Sequence, residues 1–120
     1  MSDLIFFKDN GTAVLDPKAY VANWLQNNLN SELHIGCDSK VKGSQVKYSV
    51  SICMRQIGAG VHEIYSSKIL PKQNDTYHRL WTEVNMVVEL AEKLADLAEI
   101  NVHLDLNRDP KFLSHRLLES

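Results

Sequence analysis

Three carboxylates in this chain stand where local patterning does not readily account for them. Asp38 falls within a stretch of alternating polarity, four residues after His34 and at the same parity. Aspartate is depleted from strand interiors because its side chain competes for backbone hydrogen bonds. Glu83 lies on the rim of the apolar arc of a helical stretch, between the directions of Leu90 and Leu94. A carboxylate there has to be paired, hydrogen-bonded or metal-bound, because burying it bare is costly. Arg79, four residues earlier, offers an ordinary helix-surface ion pair as the alternative. Asp105 interrupts the apolar pair Leu104 and Leu106, and Asn107 shares its face. The other acids have plainer readings. Glu89, Glu92, Asp96 and Glu99 fall on a solvated helix face, and Asp9, Asp16, Asp75 and Asp109 at turns or caps.

If the three carboxylates converge, they repel one another strongly unless a cation neutralises them. Oxygen-only ligands with open positions suit Mg²⁺ or Mn²⁺ and not zinc. Two such ions ~3.5–4 Å apart support in-line attack of water on a phosphodiester.

The elements that must position these residues follow from periodicity. Asp16-Pro17 is a helix start, an N-cap acceptor followed by a preset first-turn φ, and the helix is expected over 17–29. From Leu33 the period changes to two, giving a strand through Ile35 and Cys37 toward Lys40. Lys42-Gly43-Ser44 turns into a second alternating strand, Val46 to Arg55, and Gly58-Ala59-Gly60 into a third, closed by Pro71. These three form an antiparallel meander. Asn74 or Asp75 caps a long helix reaching about Ala98, with Leu80, Val84, Val87, Val88, Ala91 and Leu94 on its apolar side. Ile100, Val102, Leu104 and Leu106 then mark a fourth strand, and Asp109-Pro110 starts a last helix. A strand that follows a long helix returns by a right-handed crossover and lies parallel to an earlier one. The fold class expected is therefore α/β with a mixed sheet. If the first and fourth strands are neighbours, Asp38 and Asp105 share a face, and the long helix brings Glu83 over it. His34 and His103 have the same parity and would face that helix too.

The 120 residues make one domain, with 44% apolar and 23% charged residues. A net charge of −2 argues against a strongly basic nucleic-acid binder, though not against an enzyme that handles nucleic acid locally. The charge is unevenly shared. Residues 33–73 carry six cations against Asp38 and Glu63, while residues 74–99 carry six acids against Arg79 and Lys93. Lys40, Lys42 and Lys47 surround the turn after Asp38. No apolar run approaches the ~20 residues of a membrane helix, and the N-terminus does not read as a signal peptide. Cys37 and Cys53 lack metal-ligand spacing and are expected as reduced core thiols, so a cytoplasmic protein is expected. Ser39 and Ser49 have no His–acid partners for a nucleophilic triad, and the five histidines have no metal spacing. Trp24 and Trp81 are expected to pack.

The order of three antiparallel strands, helix, parallel strand and helix, with acids on the first strand, the helix and the fourth strand, resembles ribonuclease H. More narrowly, Ile35-Gly36-Cys37-Asp38-Ser39-Lys40, Arg79-Leu80 with Glu83, and His103-Leu104-Asp105-Leu106-Asn107 resemble the YkuK-like family, bacterial proteins regarded as ribonuclease H-related nucleases. The resemblance covers residues 33–120, with 1–32 an N-terminal segment bearing the short helix. It implies a metal-dependent nuclease acting on RNA, DNA or a hybrid, with Asp38, Glu83 and Asp105 as ligands of two Mg²⁺ or Mn²⁺ ions. Ser39, Lys40 and Asn107 become candidate contacts around the ions or to phosphate. The rival readings are a non-catalytic ribonuclease H-like binding module and a phosphoesterase for small phosphates. A ribonuclease H fold normally continues with a fifth strand and a further helix. This chain is C-terminally short by that measure, ending at Ser120, with Asp109 and His115 the nearest substitutes for a fourth ligand. An exposed sheet edge would favour a homo-oligomer.

Overall fold

The computed structural model describes residues 4–104. Its elements in chain order are β1 (Phe6–Phe7), β2 (Ala13–Val14), α1 (Pro17–Asn27), β3 (Ser31–Lys42), β4 (Gln45–Gln56), β5 (Gly60–Pro71), α2 (Thr76–Leu94) and β6 (Ile100–His103). Among the described residues one six-stranded sheet forms, in the order β2-β1-β5-β4-β3-β6.

The β3-β4-β5 meander is the frame. Each of its strands is 12 residues long, and β4 pairs antiparallel along its length with both neighbours. Lys42 pairs with Gln45, so Gly43 and Ser44 make a two-residue hairpin turn. Gly43, at φ +61°, supplies the left-handed conformation such a turn needs at its first position. β6 joins β3 in parallel, with Leu33 opposite Ile100 and Gly36 opposite His103. The mixed α/β sheet expected from the order of elements is thus formed, including the parallel pair.

Strand alternation divides the sheet into two unlike faces. On the inner face Leu33, Ile35, Cys37, Val50, Ile52, Met54 and Ile64 are buried. α2 covers β3 there, sending Leu80, Met86, Val87, Leu90 and Leu94 into the same core. α1 begins as its sequence dictates, with Asp16 accepting a hydrogen bond from the Ala19 amide at 3.1 Å and Pro17 in the first turn. It packs on the same face, stacking Trp24 on the ring of His62 and hydrogen-bonding Tyr20 to His62. Asp75 caps α2 in the same way through the Tyr77 amide at 2.9 Å.

Two boundaries differ from the sequence expectation. α2 ends at Leu94, four residues before Ala98, where residues 95–97 turn toward β6. The second is at the N-terminal segment, which joins the sheet: β1 pairs with β5 through Phe7 and Tyr65, and Phe6 and Val21 lie in the common core. The expected continuation of β6 past Leu104 and the last helix lie outside the described residues. No described helix is long and apolar enough to cross a membrane.

Candidate functional site

Glu83 sits at the middle of the buried stripe of α2, flanked by Leu80, Met86, Val87 and Leu90, and is itself 2% exposed. The sequence placed it on the rim because Val84 and Val88 look apolar. The helix is instead rotated so that Val88 is 46% exposed and Trp81, expected to pack, is 40% exposed.

The burial of Glu83 is compensated by β3. Ser39 faces α2 and donates its hydroxyl to the Glu83 carboxylate. The Arg79 guanidinium, one turn earlier on the helix, donates to Ser39 Oγ at 2.6 Å and to the Ser39 carbonyl at 2.9 Å. One cation, one hydroxyl and one carboxylate therefore clamp the far half of β3 against the first half of α2. Hydrogen bonds to charged groups are the stronger ones, and in a buried setting they are costly to break. Arg79 and Glu83, the pair noted in the sequence, thus meet at the Ser39 hydroxyl.

Asp38 leaves β3 on the other face. Its neighbours Cys37 and Ser39 are buried toward α2, whereas Asp38 is exposed, accepting the Ser39 amide on Oδ1 at 2.9 Å. The expectation that Asp38, His34 and His103 face the long helix is thereby corrected. The odd positions of β3 carry the apolar side chains, so they take the helix face, and period two sends Asp38 and His34 outward. Among the described residues no group of three His, Cys, Asp or Glu is placed to hold a metal ion. Asp38 and Glu83, on opposite faces, do not fit one shared ion. Asp105 and Asn107 lie outside the described residues.

What surrounds Asp38 is a different set. Toward the hairpin, Asp38 shares a concavity of about 230 Å³ with Lys40, Lys42, Lys47 and Ser49. Lys40 and Lys47 are exposed and directly opposed in register. Like charges in that relation are destabilising unless an anion lies between them. Toward the other end an open trough of about 800 Å³ runs from Asp38 over Gly36 and Ser51, walled by Tyr65, Glu63 and His103.

At the rim of the trough, a polar chain crosses the parallel pair. His34 Nδ1 and His103 Nε2 are 2.8 Å apart with their rings stacked, and His34 Nε2 meets Glu32 at 3.2 Å. Opposite His34 on β4, Cys53 donates its thiol to Glu63 at 3.0 Å. Burial first, then the hydrogen bond to Glu63 and the charge of its carboxylate, push the Cys53 thiol up to about 12. Both cysteines are free thiols; Cys37 is buried in the core as expected, whereas Cys53 is half-buried on the outer face.

The model of the family described as ribonuclease H-like matches residues 15–119. The chain belongs to that family. The sheet order around the meander fits this membership, with the parallel strand β6 beside the first long strand β3. A ribonuclease H-like fold is nuclease-like or nucleic-acid-related. No curated protein and no solved structure matches the chain. The match begins within the N-terminal segment and includes α1, which agrees with the packing of Val21 and Trp24 on the ribonuclease H-like core. The Ser39–Glu83–Arg79 clamp, the Lys40–Lys47 opposition and the His34–His103 contact were not read from the sequence. Their partners are brought together only by sheet register and by the helix crossover.

Proposed function

We propose that this ribonuclease H-like protein binds nucleic acid on the outer face of β3 and β4 and hydrolyses phosphodiester bonds beside Asp38. The observation that carries the reading is the shared concavity of Asp38 with Lys40, Lys42 and Lys47. A phosphate seated between the opposed lysines has its charge offset, and preorganised cations also favour the charge that grows on phosphoryl oxygens as water adds. Asp38 is the exposed carboxylate at that position. Mg²⁺ or Mn²⁺ enters the proposal through Asp38 and Asp105, not through Glu83. The role assigned to Glu83 is positioning: through Ser39 it holds the backbone that presents Asp38.

The second reading is a non-catalytic ribonuclease H-like binding module. The clamp that buries Glu83 favours it, because that carboxylate serves packing in this arrangement. One experiment separates the two. Labelled single-stranded, duplex and RNA–DNA hybrid substrates are incubated with and without Mn²⁺, using wild type and Asp38→Asn. Cleavage by wild type alone, and only with the ion, supports the hydrolase. Binding without cleavage by either protein leaves the module.

A further inference from the structure

The outer face of the sheet is ordered in rows that cross the strands, and the rows differ in chemistry. In one row Tyr65, Ser51, Gly36 and His103 are consecutive partners across β5, β4, β3 and β6. Phe7 of β1 extends it beyond Tyr65, with their rings 6.4 Å apart. The centre of this row holds nothing larger than a serine, while both ends carry rings. With strands about 4.8 Å apart, the backbones bearing Tyr65 and His103 are roughly 14 Å apart. The next row on this face pairs Asp38 with Ser49, and the one after it pairs Lys40 with Lys47. Successive rows on one face are two residues apart, roughly 6.7 Å along the strand.

We infer that this trough is a single-stranded nucleic-acid track, resting on the reading that the face binds nucleic acid. A base lies on the Gly36–Ser51 floor between Tyr65 and His103. The phosphodiester that follows it crosses the Asp38 row, and the next phosphate reaches Lys40 and Lys47. Three features favour a single strand over a duplex. The floor is recessed between rings, so it admits one flat base and excludes a base pair, whose edges stay stacked within a helix. Rings take any base by stacking, which is how strands are held without sequence readout. Among the described residues the lining of the trough carries no lysine or arginine, and Lys40, Lys42 and Lys47 gather just beyond its Asp38 end, which suits one backbone and not two.

Gly36 offers a clean probe. Its φ is not in the left-handed region, and a Cβ there would meet the His103 carbonyl at 3.6 Å and Ser51 Oγ at 3.9 Å, ordinary contacts. Gly36→Val therefore fills the floor of the trough without forcing the backbone. Tyr65→Ala removes one wall at a side chain already 39% exposed. Binding of short fluorescein-labelled oligonucleotides is read by anisotropy in EDTA, with circular dichroism confirming the fold of each variant. The expected result is tighter binding of a single strand than of the same sequence as duplex. Gly36→Val and Tyr65→Ala should each weaken the single strand by roughly tenfold or more, the scale of one base–ring stack. Lys40→Ala should lower the salt slope by about 0.7, one phosphate's worth on a single strand. Equal affinity for single strand and duplex overturns the inference, as does wild-type binding by both trough variants. Single-strand binding of the expected pattern with no Mn²⁺-dependent cleavage keeps the track and removes the hydrolysis. Cleavage that requires Asp38 but ignores Gly36→Val and Tyr65→Ala keeps the hydrolysis and removes the track.

Discussion

Asp38 and Glu83 flank the same half of β3 from opposite sides of the sheet. Ser39 connects them: its amide is bonded to Asp38 and its hydroxyl to Glu83. The buried acid and the exposed acid are thus linked through one residue, although their environments are unlike. Any change that loosens Ser39 is felt on both faces.

Removing the clamp should cost stability before it costs anything else. Ser39→Ala takes a hydroxyl donor from a carboxylate that is 2% exposed, and an acceptor from Arg79. The expected loss is about 1–3 kcal/mol in urea unfolding. A midpoint within error of wild type would show that the clamp does not hold α2 to β3.

Asp38→Asn should leave that midpoint within about 0.5 kcal/mol, since the side chain is exposed and its amide replacement still accepts from the Ser39 amide. Cleavage should nevertheless vanish. A variant as destabilised as Ser39→Ala would instead assign Asp38 to the fold.

The Lys40–Lys47 opposition predicts opposite signs for stability and binding. Lys47→Gln relieves a like-charge pair, so stability at low salt should rise by about 0.2–1 kcal/mol while oligonucleotide affinity falls. Adding salt should erase the stability gain. A loss in both quantities would mean that the lysine stem packs on the sheet.

Cys53 should resist modification. Its thiol is pushed up to about 12 from 9.0, chiefly by burial and then by Glu63, so little thiolate forms at neutral pH. Alkylation by iodoacetamide should be slow, and Glu63→Gln should speed it. The linked stability has a definite sign. The folded state holds this proton more tightly than the unfolded chain, so the contribution is complete below pH 9 and is lost as pH rises toward 12. Cys53→Ser should flatten that alkaline decline; an unchanged decline would place its origin elsewhere.

The N-terminal segment should prove inseparable from the rest. Phe6 is 2% exposed within the shared core, so Phe6→Ala is expected to cost about 3–5 kcal/mol in a single cooperative transition. Two separated transitions would instead make the segment an independent unit.

Most of the frame was legible because its residues repeat with the period of their element. β4 alternates over 12 residues, and the acid–proline and acid–polar helix starts at Asp16 and Asp75 cap as their chemistry requires. The parallel return to β3 followed from the handedness of crossovers. The rotation of α2 was not legible. Val84 and Val88 are apolar by type, yet the helix settles on Met86 and Leu90 because those fill the space above β3. β1 and β2, two residues each, exist by pairing with each other and with distant β5, which no local period reveals. For Asp38 the outward direction was legible from the apolar odd positions Leu33, Ile35 and Cys37, but the expected convergence with Glu83 set it on the helix face instead. The partner of Glu83 was hidden, since Ser39 lies 44 residues away in the chain.

The two faces of β3 and β4 have a consequence for how such a protein changes over time. Odd positions of β3 and even positions of β4 are committed to the interior, while the alternate positions form the outer face, where the proposed nucleic-acid surface lies. Selection can therefore rewrite the binding surface one residue at a time without disturbing the core. Relatives should record this as a beat of period two along the meander, conservative on one parity and variable with substrate on the other. Lys40 keeps time with the second, whereas Asp38, the proposed hydrolytic carboxylate, stands fixed among its variable neighbours.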